Sequence, residues 1–289
     1  MGNYRTKLSR AGCTDVAVNG GKRKGQAPPR SVKRPKRFEI NFLPNFPEGE
    51  DENTMESKRI ELVEELKKRR PTAALVSKNM DSTFALRRKE LVTMEPPVKD
   101  TVERWPALFT EGQVLTEFCR LSSKNLQAEF FKELDKYTPR FLEIFKSKGG
   151  SSADVTGRRT AVLRGLPVIL GDENTDFFKT CFDCDDLPDV SHTSMGIMTV
   201  IAEDCVASPH SLHLESTATA IVLEGTMVMD DLDNLPHAMC LLFGLIYALN
   251  LEYPQQLRYT FEFIQRVLLS LGPKSLKPKI QSLKNLLMQ

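Results

Sequence analysis

The sequence predicts an α+β fold that is predominantly helical, with a small antiparallel β element in the C-terminal half. Two observations support this prediction. From Met55 onward apolar residues recur at helical spacing, as Ile60, Val63 and Leu66 do on one face. Between residues 196 and 231 the pattern changes to segments rich in Val, Ile and Thr, which favour β-strands.

The composition is that of an ordinary globular protein. Of the 289 residues, 40% are hydrophobic and 27% are charged, which is enough for a sizeable core. The longest apolar run, 238–249, is shorter than the about 20 residues that cross a bilayer, so it predicts a buried helix. No signal peptide is visible, and six irregularly spaced cysteines predict reduced thiols in the cytosol or nucleus.

The net charge of +2 hides a strong segregation of charge along the chain. Residues 1–37 carry eleven Lys/Arg and one acid, whereas residues 172–233 carry fourteen Asp/Glu and one lysine. Residues 254–289 are basic again, with six Lys/Arg and one acid. A basic arm, an acidic middle and a basic end predict electrostatic contacts within the chain or with partners.

Composition shifts divide the chain into four predicted segments. A short helix at residues 1–12 precedes a disordered, basic and Pro-rich linker at 13–55. A helical subdomain follows at 56–150 and ends in a Gly-Gly pair. Residues 151–289 form an α+β subdomain with C-terminal helices. Within the linker, the apolar segment 38–46 either docks on the folded part or serves as a short interaction motif.

Local signals predict where the helices of 56–150 begin and end. Pro71 suits the first turn of a helix that continues to Pro96. Thr110–Gln113 fits a capping box that opens the next helix. A further helix runs from about residue 123 to 137, and the Thr138-Pro139 pair predicts a restart.

In the second half, a short helix near 157–170 precedes the predicted strands. Residues 196–204 and 217–231 are interpreted as two strands, paired antiparallel. Asn234 is placed to cap the apolar helix at 235–250. Two amphipathic helices then end the chain.

One constellation suggests metal chemistry. Cys181 and Cys184 form a CxxC motif, and His210 and His213 form an HxxH motif, a ligand set that suits tetrahedral zinc. The HxxH spacing is tighter than that of a zinc finger, and ordinary thiols with loop histidines explain the pattern equally well. We therefore predict no metal, cofactor or catalytic residue, and keep a metal-dependent or hydrolytic enzyme using the Cys/His/Asp region 181–213 as the alternative.

The strongest local signal is basic. Two clusters of Lys and Arg lie in the N-terminal arm, and Pro35 is inside the second. Proline disfavours a helix and favours an extended chain, which is the conformation in which the acidic groove of an import receptor binds Lys and Arg side chains. The alternatives are a solvated linker and an arm that contacts phosphate groups nonspecifically. The residues predicted to form the nuclear-import signal are Lys22, Arg23, Lys24, Lys33, Arg34, Lys36 and Arg37.

A second N-terminal pattern competes with the import signal. Met1 to Thr6 fits the myristoylation pattern M-G-x-x-x-[ST], in which Gly2 would carry the acyl chain. One acyl chain anchors a protein only marginally, and a polybasic segment is the usual second signal. A myristoylated membrane-surface adaptor is therefore a further alternative.

Several blocks of the sequence resemble a known family, the sterile alpha motif domain-containing protein 3-like proteins of fish. The blocks extend over nearly the whole chain and are long enough to be specific. They are NYRTKL (3–8), AGC (11–13), FALRRKE (84–90), RWPALF (104–109), LDKYTPRFLEIFKSKGG (134–150), IVLEG (221–225), LLFGLIYALNLEYPQQLRYTFEF (241–263) and SLKNLL (282–287).

The resemblance implies an interaction protein without enzymatic activity, cofactor or catalytic residues. The sterile alpha motif itself, a helical interaction module, is not found in this sequence, and in longer relatives it lies upstream. Residues 1–12 therefore resemble the remnant helix of a preceding segment. Together with the basic arm, this predicts a non-catalytic nuclear interaction protein, whose partners include an import receptor and, nonspecifically, nucleic acid. The cytoplasm is the alternative location.

Overall fold

The computed structural model describes residues 41–146, 154–183, 189–202, 216–273 and 275–289. In chain order the helices are α1 (Glu52–Leu66), α2 (Ala73–Ser82), α3 (Phe84–Thr93), α4 (Val98–Arg104), α5 (Glu111–Ser122), α6 (Leu126–Lys146), α7 (Val155–Leu170), α8 (Leu235–Leu249), α9 (Arg258–Phe263) and α10 (Pro278–Leu287). The strands are β1 (Phe178–Phe182), β2 (Met195–Ile201), β3 (Ser216–Leu223) and β4 (Thr226–Leu232). The predicted α+β class, mainly helical with a small C-terminal β element, is confirmed.

Helix α1 begins at a reciprocal cap. The Asp51 carboxylate accepts from the Thr54 backbone N–H at 2.8 Å, and the Thr54 hydroxyl accepts from the Asp51 N–H at 3.0 Å. This satisfies donors that would otherwise be unpaired at the helix start. Met55 and Leu62 then point into the core, which gives the helix its buried face.

The segment that was predicted as one helix from Pro71 to Pro96 forms two helices, α2 and α3. The chain leaves helical geometry at Thr83, where φ is −93° and ψ is 4°. The buried Thr83 hydroxyl donates to the Asn79 carbonyl at 2.6 Å and so satisfies a group at the end of α2. The break redirects α3, and Arg87 and Arg88 of that helix become buried.

Two other local predictions were wrong. Thr110 precedes α5 as expected, but its hydroxyl donates to the Ala107 carbonyl at 2.9 Å and does not form a capping box. The predicted restart at Pro139 does not occur, because α6 continues through it. The buried faces on both sides of Pro139, with Phe130 before it and Phe141 after it, stabilise a continuous helix despite the lost hydrogen bond.

The four strands form one mixed sheet in the order β1-β2-β3-β4. β2 and β3 form the predicted antiparallel pair. The segment 217–231, predicted as a single strand, is a hairpin of β3 and β4 that turns at Glu224 and Gly225, both with positive φ. Strand β1 was not predicted, and it pairs in parallel with β2.

The apolar helix α8 lies at the centre of the molecule. The Asn234 side chain accepts from the His237 N–H at 2.9 Å, which confirms the predicted cap. Side chains of α8 are buried on every face of the helix. Gly244 sits where α8 crosses α5 and α6, and a β-carbon there would lie 2.6 Å from Val114 Cγ1.

Residues from both predicted subdomains, 56–150 and 151–289, contribute to the same hydrophobic core. Phe42 and Phe46, from the apolar segment before α1, also pack against this core, which supports docking of that segment. After α8 the chain continues as a short 3₁₀ turn, then α9 with a π-helical turn at Ile264–Leu268, and ends in α10. Within the described ranges, no helix is both long and apolar enough to cross a membrane.

Candidate interaction site

Most of the residues singled out by motif lie outside the described part of the chain. This applies to Gly2 and to all seven residues of the import signal, Lys22, Arg23, Lys24, Lys33, Arg34, Lys36 and Arg37. It also applies to Cys184, His210 and His213 of the candidate zinc site, whereas Cys181 lies in β1. In the described ranges, no three His, Cys, Asp or Glu side chains are grouped to hold a metal ion.

Helix α3 carries two consecutive arginines that are fully buried. Arg87 donates to both carboxylate oxygens of Glu117, from Nε and Nη2, each at 2.7 Å. Its guanidinium also lies 5.1 Å from the centre of the Trp105 ring. The planar fork of arginine matches a carboxylate in this bidentate geometry, and the pair joins α3 to α5.

Glu117 remains ionised although it is buried. Burial alone raises the pKa of a carboxyl group, but the Coulombic attraction of Arg87 and its hydrogen bonds outweigh that effect. Arg120 adds a further bond to Glu117 at 2.6 Å. The net result is a pKa for Glu117 below its ordinary value, and the carboxylate serves as a fixed structural anchor.

The neighbouring Arg88 holds the end of the central helix. Its Nη1 donates to the carbonyl oxygens of Ala248 at 2.8 Å and Tyr247 at 3.2 Å. These carbonyls belong to the last turn of α8, where helical partners are absent and the helix dipole favours a cation. Burial lowers the pKa of Arg88 to about 10, so it stays charged at neutral pH.

A second, partly exposed network of hydrogen bonds and ion pairs connects α1, α3 and α4. Glu90 accepts from the Trp105 indole N–H at 2.9 Å and from Arg104 Nε at 2.8 Å. Arg104 also donates to Glu56 at 2.8 Å and so joins α1, α3 and α4. Hydrogen bonds from Arg59, and then from Arg104, lower the pKa of Glu56.

The buried charged side chains of α3 and α5 all have hydrogen-bond partners within the protein. Buried ionisable groups with shifted pKa values mark active sites when they face a cleft. Here Arg87, Arg88 and Glu117 face other elements of the core and are completely enclosed. Their role is to fix α3 against α5 and α8.

A cleft of a different kind lies where β1 and β2 begin. Its volume is about 230 Å³. Its apolar lining is formed by Phe177, Met195, Pro254 and Leu257. Its polar lining is formed by Glu173, Thr175, Asp176, His192, Thr193, Ser194 and Gln256.

Backbone hydrogen bonds hold one wall of this cleft. The Gly225 N–H donates to the Thr193 carbonyl at 2.9 Å, and the Glu224 N–H donates to the Ser194 carbonyl at 2.8 Å. Gly225 is required at the turn, because its φ is +71° and a β-carbon would lie 2.7 Å from the Ser191 carbonyl oxygen. The β3–β4 hairpin therefore positions the loop that precedes β2.

The opposite wall is held in the same way. The Glu173 N–H donates to the Gln256 carbonyl at 3.0 Å. The Asp172 carboxylate accepts from the Thr260 N–H at 2.7 Å and from the Thr260 hydroxyl at 2.8 Å. The segment after α7 is thus fixed against the start of α9.

The cleft was not recognised in the sequence. The candidate metal region predicted from the sequence is 181–213, whereas the cleft acids Glu173 and Asp176 precede β1. Its lining comes from three stretches far apart in the chain, 173–177, 192–195 and 254–257. The acidic bias of residues 172–233 was the one signal that pointed to this part of the molecule.

The segment that contains Arg87 and Arg88 is similar to a known protein family. Residues 55–110 match the family model described as sterile alpha motif domain-containing protein 3, helical domain. The match extends from α1 to just before α5 and includes Arg87, Arg88 and Trp105. Neither the curated proteins nor the solved structures that were searched gave a match. Within this chain of 289 residues, the segment 55–110 is therefore similar to the helical domain of sterile alpha motif domain-containing protein 3.

Proposed function

We propose that the protein is a non-catalytic nuclear interaction protein, in which the folded part presents binding surfaces and the basic arm directs nuclear import. The observation that supports a non-catalytic interaction protein is that the buried arginines of the segment 55–110 bind other parts of the core. Arg87 and Arg88 are enclosed and bonded to Glu117 and to the end of α8, so they stabilise a scaffold. The matched family, a helical domain, fits a protein without enzymatic activity.

The second half of the proposal is supported by the sequence of the arm. Four permanent cations, Lys33, Arg34, Lys36 and Arg37, lie within five positions around Pro35. Residues 1–37 carry eleven Lys/Arg against one acid, which suits an acidic receptor groove. The same charge allows weak, salt-sensitive contacts with nucleic acid, which carry no sequence preference.

Nuclear accumulation of a large fusion tests the import proposal. The chain alone, at 32.6 kDa, is small enough to diffuse through nuclear pores, so it must be fused to a reporter that is too large to diffuse. Replacing Lys33, Arg34, Lys36 and Arg37 by alanine is expected to abolish accumulation. Replacing Lys22, Arg23 and Lys24 is expected to weaken it less.

Gly2→Ala serves as the control for the membrane alternative and is expected to leave the location unchanged. Continued accumulation of the four-alanine variant would contradict the import proposal. Release of the protein from a membrane by Gly2→Ala would instead support the lipid-anchored adaptor. The circular dichroism spectra of the variants should match that of the unmodified chain.

A further inference from the structure

We propose that the cleft between residues 173–177, 192–195 and 254–257 binds one cationic side chain, arginine or lysine, presented by a basic segment of a partner protein. This inference rests on the proposed interaction function and adds to it the chemistry of the partner. Its basis is the combination of two unpaired carboxylates, apolar residues in the lining and walls that are fixed by hydrogen bonds.

The charge of the cleft is available to a ligand. Glu173 and Asp176 are both exposed, and neither carboxylate has a hydrogen bond or an ion pair within the described part of the chain. No Lys or Arg among the described residues lines the cleft. The ammonium of Lys179 donates to the Thr193 hydroxyl at 2.6 Å and keeps its charge there, but among the described residues it forms no ion pair with Glu173 or Asp176.

The apolar part of the lining suits the stem of a long cationic side chain. Pro254 is partly exposed and gives the lining accessible apolar surface, whereas Phe177 and Leu257 are buried, with Phe177 edge-to-face against Phe261 at 5.8 Å between ring centres. Arg and Lys side chains lay their methylene groups along such surfaces while the charged end stays near solvent and carboxylates. Apolar and acidic residues in one lining match both ends of these side chains.

The size of the cleft favours one side chain over a larger ligand. Sites for cofactors and drug-sized molecules usually enclose about 300–1,000 Å³. The volume here, about 230 Å³, is below that range. A single inserted side chain, with the rest of its segment lying on the surface, is the occupant that this geometry fits.

Both walls are held before any ligand arrives. The hydrogen bonds from Gly225 and Glu224 fix the loop before β2, and those to Gln256 and Asp172 fix the other wall. A preformed site avoids much of the entropic cost of ordering on binding.

The composition of the sequence around the cleft-lining segments favours a basic protein segment over an isolated cation. The stretch 172–233, which includes two of the three cleft-lining segments, carries fourteen acids and one lysine. A field of one sign accelerates association with an oppositely charged segment, and short-range contacts then select the side chain that enters.

Fluorescence anisotropy with a labelled peptide tests the proposal on the full-length chain. The probe is a short Gly/Ser peptide with blocked ends, one central arginine and no other charged residue. Its matched control has citrulline in place of the arginine, which keeps the shape and removes the charge. The arginine peptide is expected to bind about tenfold more tightly, and its affinity is expected to fall as salt is added.

Isosteric variants locate the binding site. The double variant Glu173→Gln/Asp176→Asn is expected to weaken the arginine peptide about tenfold, because two contacts with carboxylates are lost. The matched control is Asp230→Asn/Asp233→Asn, which removes the same charge from exposed positions outside the cleft and is expected to change the affinity less than about twofold. All four substitutions are at exposed positions, and unchanged melting curves would verify folding.

Three outcomes would overturn the proposal. Equal losses in the two double variants would show attraction by the general field without a site. Equal binding of the arginine and citrulline peptides would show that no cation is recognised. Tighter binding after Lys33, Arg34, Lys36 and Arg37 are replaced by alanine would identify this chain's own arm as the occupant. The import proposal is judged separately, since the cleft variants should leave nuclear accumulation of the reporter unchanged.

Discussion

Arg87 and Glu117 form a bidentate ion pair in which neither side chain is exposed to solvent, with both N–O distances at 2.7 Å. The two residues are thirty positions apart and connect α3 to α5. A pair of this kind offsets the cost of desolvating both charges only while both partners are present. It therefore makes the stability of the core sensitive to either residue.

Removal of one partner tests this dependence. Glu117→Ala is expected to lower the free energy of unfolding by about 3–5 kcal/mol, because it leaves the Arg87 guanidinium buried without its counter-charge. Urea denaturation followed by circular dichroism measures the change.

The matched control removes both charges together. The double variant Arg87→Met/Glu117→Leu replaces the pair by apolar side chains and is expected to be more stable than Glu117→Ala. If the double variant is as unstable as the single variant, the loss comes from packing and not from the unpaired charge.

Arg88 allows a second test, directed at the end of α8. Arg88→Ala removes the donors to the carbonyls of Tyr247 and Ala248, and it is expected to cost about 1.5–3 kcal/mol. Lys89→Ala is the neighbouring control. Lys89 is half exposed and pairs with the exposed Glu52 on the surface, where such pairs contribute about 0–1 kcal/mol, and its ammonium lies 5.7 Å from the centre of the Phe46 ring. Equal midpoints for the two variants in urea would contradict the assigned role of Arg88.

The pH dependence of stability follows from carboxylates whose pKa values are lowered by folding. Hydrogen bonds from Lys68, and then from the Thr72 N–H, lower the pKa of Glu65 to about 2 from an ordinary value of 4.5. The pKa values of Glu56 and Glu117 are also lowered. Below pH 4.5 the unfolded chain binds protons that the folded chain does not, so stability is expected to fall as the pH is lowered towards these folded values.

Urea midpoints between pH 7 and pH 3 measure this effect. The midpoint is expected to stay level down to about pH 5 and to fall at lower pH. Glu65→Gln should flatten that fall, because the substitution removes one of the groups whose protonation differs between the two states. A stability that rises on acidification would show that these carboxylates are not stabilising.

The sequence predicted the parts of the fold whose signals are local. The apolar run of α8 and its cap at Asn234 lie within a few residues of each other, so both could be recognised. Strands β2 and β3 are rich in Val, Ile and Thr, and most of the residues of β2 are buried. In these segments local propensity and tertiary burial agree.

Parts that depend on distant partners could not be predicted. Charged residues in a helix usually face solvent, and the burial of Arg87 and Arg88 depends on Glu117 and on the end of α8. Strand β1 has no buried residue to give it a strand-like pattern, and it ends at Phe182, whereas its parallel partner β2 begins only at Met195. The cleft is formed by three stretches that are far apart in the sequence, so no single sequence motif predicts it.

Leu245 provides the test of the central position of α8. Its side chain is fully buried in a helix whose residues are buried on all faces. Leu245→Asp places a carboxyl group at a fully buried position of this apolar helix, and burial of an unpaired charge costs several kcal/mol. That cost is a large part of the about 5–15 kcal/mol that stabilises a typical domain. The variant is expected to lose its cooperative melting transition.

The control for this substitution is Ile60→Asp on α1. Ile60 is 50% exposed, so an aspartate there remains solvated and is expected to change stability by less than about 1 kcal/mol. Thermal denaturation followed by circular dichroism compares the two variants. A Leu245→Asp protein that melts at the same temperature as Ile60→Asp would show that α8 is not the centre of the core. Loss of the transition in Leu245→Asp alone would establish that the remaining helices depend on packing against α8.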